Sequence, residues 1–141
     1  MHIVSLGKLE LLNTMMQAAL TSNYNLIYRL YSTNVTPVDA STAGSFTECS
    51  FTGYVPYTLT RSTWNNAATV SSEAQTSYGS TPLAWTAGSS QTVYGYFVTT
   101  SAAAPGGSTG DCLYAELFGT ARTLNNGDVL QLTPTFALQS Q

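Results

Sequence analysis

After Asn23 the chain never again shows an apolar stripe at helical spacing. It breaks instead into short alternating runs, each ended by a turn former, and this excludes most helical architectures. "NLIYRLYS" sets Leu26, Tyr28 and Leu30 against Ile27, Arg29 and Tyr31. "NVTPVDASTAGS" is a loop punctuated by Pro37, Asp39 and Gly44. "FTECSF", "YVPYTLT", the stretch from Trp64 to Ser71 and "EAQTSY" follow, with Pro56 marking an edge strand or a bulge. "PLAWTA" and "TVYGYFVTT" are joined by the Gly-Ser-Ser turn at 88–90, and "SAAAPGGSTG" is an exposed small-residue loop. "DCLYAELF" resumes the sheet. Asn-Gly within "NNGD" at 125–128 is the strongest short hairpin signal a sequence offers, and "DVLQLTPTFAL" follows it. Short strands at even spacing with no helices between them predict a mainly β fold: an antiparallel β-sandwich or jelly-roll-like domain of about eight strands.

The N-terminal stretch differs. Leu9, Leu12, Met16 and Leu20 recur at three-and-four spacing, Leu11 and Met15 widen the stripe, and Glu10, Thr14 and Gln17 oppose it. One amphipathic helix is expected in a segment 1–22, ahead of a single antiparallel β domain over 23–141. Its stripe needs a cover, either its own domain or a neighbouring chain. Lys8, Glu10, Asn13 and Gln17 interrupt the apolar run, and no basic region precedes it, so a folded helix is expected rather than a signal peptide.

Composition narrows the partners. Thr and Ser occupy 22 and 16 positions, and only 8 % of residues are charged, against roughly a quarter in ordinary soluble domains. Four scattered basic residues, Lys8, Arg29, Arg61 and Arg122, in a chain of net charge −3 exclude the basic patch that phosphates or anionic lipid require. No nucleic-acid or membrane partner is expected. Low surface charge protects poorly against association, which points to a surface meant to be covered by partners.

No catalytic constellation stands out. The one histidine, His2, adjoins the first residue, which leaves no Ser-His-Asp or Cys-His arrangement. Among the seven carboxylates, Glu48 and Glu116 fall in predicted strands and are the one pair worth testing for glycosidase geometry. The alternative is that each is a cross-strand partner of Arg29 or Arg122. "GGSTGD" lacks the lysine of a phosphate loop and the carboxylates of a calcium loop. Cys49 and Cys112 either pair across neighbouring strands or remain reduced and half-buried. Trp64, Trp85 and the nine tyrosines serve as core, as protein interface or as a sugar-stacking platform. In "TVYGYFVTT" neither face is charged, so both need cover, and Gly95 marks a close approach to the strand.

The order "LIYRLYSTNVTP", "SFTECSFTGYVPYTLT", Trp64, "TVYGYFVTT" and "LYAELFGTARTLNNGDVLQLTPTFAL" resembles small all-β capsid decoration, or cement, proteins of tailed bacteriophages. The likeness spans about Leu26 to Leu138. It implies a non-enzymatic virion protein on the outer surface of the capsid, made in the host cytoplasm, that bridges subunits of the phage major capsid protein. It implies a homo-oligomer too, a trimer before a dimer, and no cofactor. The candidate interface residues are Leu9, Leu12, Met16, Tyr54, Tyr57, Tyr94 and Tyr96. The alternative is a carbohydrate- or receptor-binding tail component, for which Trp64 and Trp85 would supply the stacking faces.

Overall fold

The computed structural model describes residues 26–38, 40–71, 73–100 and 112–138. The expected helix, with Leu9, Leu12 and Met16, lies outside the described residues. Within them the chain forms strands β1 (Leu26–Tyr31), β2 (Tyr57–Leu59), β3 (Ala68–Val70), β4 (Glu73–Ser77), β5 (Leu83–Thr86), β6 (Gln91–Thr100), β7 (Cys112–Leu124), β8 (Val129–Leu132) and β9 (Thr135–Leu138). The fold is mainly β, and every strand pair whose register is defined is antiparallel. "FTECSF" contributes one bridge, Glu48 to Tyr31, rather than a strand. Two short 3-10 turns, Ala43–Ser45 and Arg61–Thr63, are the helical elements described.

The strands gather in two compact units. Among the described residues one comprises 60–71, 73–83 and 132–138, the other 26–38, 40–59, 84–100 and 112–131. In the first, β3, β4 and β9 form one sheet in that order. Trp64, 4 % exposed, stands edge-on to Tyr78, whose backbone N–H donates to the Pro134 carbonyl. Thr76, buried in β4, donates its hydroxyl to the Asn65 carbonyl at 2.6 Å, as a buried polar group must.

The second unit carries a four-stranded sheet in the order β2-β1-β6-β7 and most of the β5-β8 pair. β2 is an edge strand that begins directly after Pro56, the position the missing N–H of proline dictates. Alternation along β1 and β6 gives the sheet two aromatic faces. On the first, Tyr28 stacks on Tyr96 with ring centroids 4.7 Å apart, and Trp85 lies beyond Tyr28 at 6.1 Å. On the second, Tyr31, Phe46 and Phe97 make a core cluster to which Val35, Tyr94 and Leu117 add. Burying aromatic side chains on both sides removes the charged face a half-exposed strand needs.

Gly95 makes room for a ring of the second face. It pairs with Tyr31 across β1 and β6, and the Tyr31 ring crosses over it. A Cβ there would lie 2.5 Å from the Tyr31 hydroxyl oxygen and would overlap the Glu116 carbonyl oxygen. That hydroxyl donates to the Glu116 carbonyl at 3.1 Å and lies 3.3 Å from the Val35 carbonyl. The close approach expected at Gly95 is therefore made by a neighbouring strand of the same unit.

The Asn-Gly turn forms, but not the hairpin. Asp128 N–H donates to the Asn125 carbonyl, and Gly127 adopts φ +91°. Ser71 is the non-glycine residue with positive φ among those described, so Asn126 is not in the left-handed region that a type I′ turn requires. A turn with positive φ at its third residue alone splays the flanking strands. β8 accordingly pairs with β5, while β7 pairs with β6.

Candidate interaction surface

Two margins of the four-stranded sheet hold the residues singled out in the sequence. At the first, β1 passes from its partner β2 to the segment around Glu48, where Cys49 N–H donates to the Leu30 carbonyl. Leu30 N–H falls in the gap between the two partners and donates to the Tyr54 hydroxyl at 3.0 Å. That hydroxyl donates to Glu48 Oε1 at 2.9 Å, and Arg29 Nη1 donates to Glu48 Oε2 at 2.7 Å. Burial pushes the Tyr54 phenol well above its ordinary value; the Leu30 amide draws it back in part, and Glu48 raises it again. Burial, then Glu48, pushes the Cys49 thiol up to about 12, so it stays protonated and unreactive.

The register decides the carboxylate question. Glu48 bridges to Tyr31 and binds Arg29, which places it on the Tyr31 face. Glu116 is the direct partner of Tyr96, which stacks on Tyr28 and lies on the opposite face. The two carboxylates share no cleft, and glycosidase geometry is excluded for them. Glu48 pairs with Arg29, as the cross-strand alternative required. Glu116 instead accepts a 2.5 Å hydrogen bond from the Tyr96 hydroxyl, whose ionisation is pushed up by burial first and by Glu116 second.

The cysteines are free. Cys49 adjoins β1 on its β2 side and Cys112 opens β7, so β1 and β6 run between them. Three strand spacings amount to roughly 14 Å, beyond any disulfide.

The four described interface candidates do not form one surface. Tyr57 donates its hydroxyl to the Ala84 carbonyl at 2.7 Å and sets its ring edge-on to Trp85, on the Tyr28 face with Tyr96. Tyr94 packs against the Tyr31 cluster on the other face, and Tyr54 is spent on the β1 margin. All four are half-buried joints within the unit. Trp85, 1 % exposed, and Trp64 present no open ring to a sugar.

What the sequence reading missed lies at the other margin. β7 has β6 on one side and, among the described residues, no strand on the other. Its pairing slips twice. Between the pairs Val98–Tyr114 and Thr99–Cys112 it carries one extra residue, Leu113, and Phe118–Ala121 stand against Tyr94 alone. The first bulge turns Leu113 outward, 52 % exposed, towards Val38 at 66 %. Between them runs an open groove of about 540 Å³, lined by Pro37, Val38 and Ser41 on one side and Cys112–Ala115 on the other. The turn that forms the first wall is satisfied internally: Ser41 N–H donates to the Val38 carbonyl, and Val38 N–H to the Ser41 hydroxyl. Among the described lining residues no side chain carries a charge except by ionisation of Cys112 or Tyr114, and burial pushes both upward. One signal was available: Val38, an apolar side chain beside Pro37 among turn formers.

No group of metal-ligating side chains occurs among the described residues, and none of their helices is long and apolar enough to cross a membrane. No family model and no curated protein matches the chain.

Proposed function

We propose that the protein is a virion structural protein, a capsid decoration or cement protein that binds the outer surface of a phage head and steadies contacts between major capsid subunits. The β7 margin supports this reading: a groove with no charged side chain among its described lining residues, on a chain in which 8 % of residues are charged. Surface of low charge beside a strand edge is chemistry suited to a protein partner and poorly suited to a phosphate or a charged substrate. The resemblance to phage decoration proteins supports the same reading. It extends to a jelly-roll-like layering of the strands, an N-terminal helix over Leu6 to Leu20, and a homo-oligomer, trimeric before dimeric. A ligand that binds only the assembled shell stabilises it by mass action, and many weak sites acting together suffice, so no cofactor or active site is required.

The test is co-sedimentation of the purified protein with expanded heads. Binding at a fixed number of copies per capsid, with a higher disruption temperature for decorated particles, is expected. Failure to co-sediment at any protein concentration removes the proposal. Burial of Trp64 and Trp85 removes two of the stacking faces that, with the tyrosines, motivate the tail-component alternative.

A further inference from the structure

The aromatic face around Tyr28 ends in a phenol bonded to a carboxylate, a pairing with chemistry beyond packing. We propose that Tyr96 and Glu116 form a redox site, the outlet through which a one-electron oxidation of buried Trp85 leaves the interior of the unit. Tyr96 supplies the electron and Glu116 takes the proton. The oxidant is an oxygen-centred radical, or ultraviolet light that ejects the electron into water. The inference goes beyond the decoration reading and does not depend on it.

The route and its end are both built. Trp85 and Tyr28 have ring centroids 6.1 Å apart at an interplanar angle of 27°, and Tyr28 stacks on Tyr96 at 4.7 Å and 19°. Trp85 and Tyr28 are buried and Tyr96 is half-buried, so three rings in contact lead from the interior towards the surface. Electrons pass readily between aromatic rings that touch. At the outer end Tyr96 and Glu116 are direct cross-strand partners, and the Tyr96 hydroxyl donates to Glu116 Oε2 at 2.5 Å, the short end for a hydroxyl on a carboxylate. Glu116 is exposed, so a proton received there passes on to water. At the inner end Trp85 Nε1–H donates to the Val55 carbonyl at 2.8 Å, and an amide oxygen is too weak a base to take that proton.

The step balances within the unit. Loss of one electron leaves Trp85 as an indole radical cation that keeps its N–H. One electron then passes from Tyr96 through the Tyr28 ring to Trp85, while the Tyr96 O–H bond breaks and its proton bonds to Glu116 Oε2. Trp85 is restored, Tyr96 becomes a neutral phenoxyl radical and Glu116 a neutral acid. Burial first, and Glu116 second, keep the Tyr96 phenol protonated at neutral pH, so its electron leaves easily only when the proton moves too. Tyr57 supplies the contrast. Its ring is nearer to Trp85, at 4.8 Å, but its hydroxyl donates to the Ala84 carbonyl, which accepts no proton. Distance favours Tyr57; the base favours Tyr96.

Laser flash photolysis of the full chain tests this, in a Trp64→Phe background that leaves Trp85 as the one tryptophan to be ionised. The tryptophan-radical absorption should decay as the tyrosyl absorption rises, at a rate independent of protein concentration. Adding Tyr96→Phe should lengthen the life of the Trp85 radical about tenfold or more. Glu116→Gln keeps an acceptor oxygen beside the phenol but not a base, and should slow the transfer about tenfold or more. Tyr57→Phe should transfer as the background does. The inference falls if no tyrosyl signal follows the tryptophan radical, if the rate grows with protein concentration, or if Tyr57→Phe lengthens the radical's life and Tyr96→Phe does not. Unchanged transfer in Glu116→Gln would overturn Glu116 as the proton acceptor, and with it the paired site.

Discussion

The two margins of the four-stranded sheet solve the same problem in opposite ways. On the β2 side the edge strand has three residues, starts after a proline, and is extended by a segment pinned through Tyr54, Glu48 and Arg29. Short length, proline and charge are the usual means of closing an edge. On the β7 side the strand runs for thirteen residues and is interrupted by bulges instead. One margin spends its polar groups on itself; the other keeps an open groove beside its backbone. The difference separates residues that hold the unit together from exposed ones such as Val38 and Leu113.

The largest effect should come from β6, which the two margins share. Gly95→Ala would drive a methyl group into the Tyr31 ring and the Glu116 carbonyl, at a cost of about 3 kcal/mol or more, the upper range for overpacking. Thermal melting should show a large drop; a change of less than about 1 kcal/mol would mean that the ring does not cross the strand. Tyr54→Phe should cost about 1–3 kcal/mol, because the buried Leu30 N–H loses its acceptor, and exchange at the Leu30 amide should accelerate. Unchanged exchange there would break the description of the β2 margin.

Alkali should attack that same margin. The Cys49 thiol is raised from 9.0 to about 12, so folding holds a proton that the unfolded chain releases. Stability from this source is complete below pH 9 and is lost as pH climbs towards 12. Denaturant midpoints measured across that range should fall for wild type and fall less for Cys49→Ala. Arg29→Met should cost less than Tyr54→Phe, about 1 kcal/mol or below, since both partners of its ion pair are a quarter to a third exposed. Leu113→Asp should leave stability within about 0.5 kcal/mol of wild type, as a surface change does. A loss like that of Tyr54→Phe would show that Leu113 belongs to the core and not to a binding margin.

Much of this was legible in the residues, and the limits have physical causes. Strand positions followed from alternation in "LIYRLY" and "TVYGYFVTT", and Pro56 announced its edge, because both are local properties. Partner choice was not legible. Asn126–Gly127 promised a hairpin, yet φ at one position sent β8 to β5, and a dihedral is decided by the surroundings as much as by the pair of residues. Glu48 and Glu116 look equivalent in sequence; only the register assigns them to opposite faces. Tyr57 and Tyr96 also make bonds within the unit that the sequence does not announce, since a phenol serves a carbonyl or a carboxylate as well as a partner. The β7 margin is not legible because an edge depends on which strands pair, and among the described residues β7 pairs on one side alone.

The turn at 125–128 also bears on how long the molecule lasts. Asn-Gly sequences age by attack of the glycine nitrogen on the asparagine side-chain carbonyl, which expels ammonia and leaves a succinimide that water opens to aspartate or isoaspartate. Here Gly127 N–H is donated to the Ala87 carbonyl at 2.7 Å, and Ala87 N–H returns a bond to the Asp128 carbonyl. The nitrogen that would attack is held in place by its bond to Ala87. Peptide mapping should find Asn126 intact after prolonged storage of the folded protein and converted when the same sample ages in urea. The fold then works as a preservative for its own sequence.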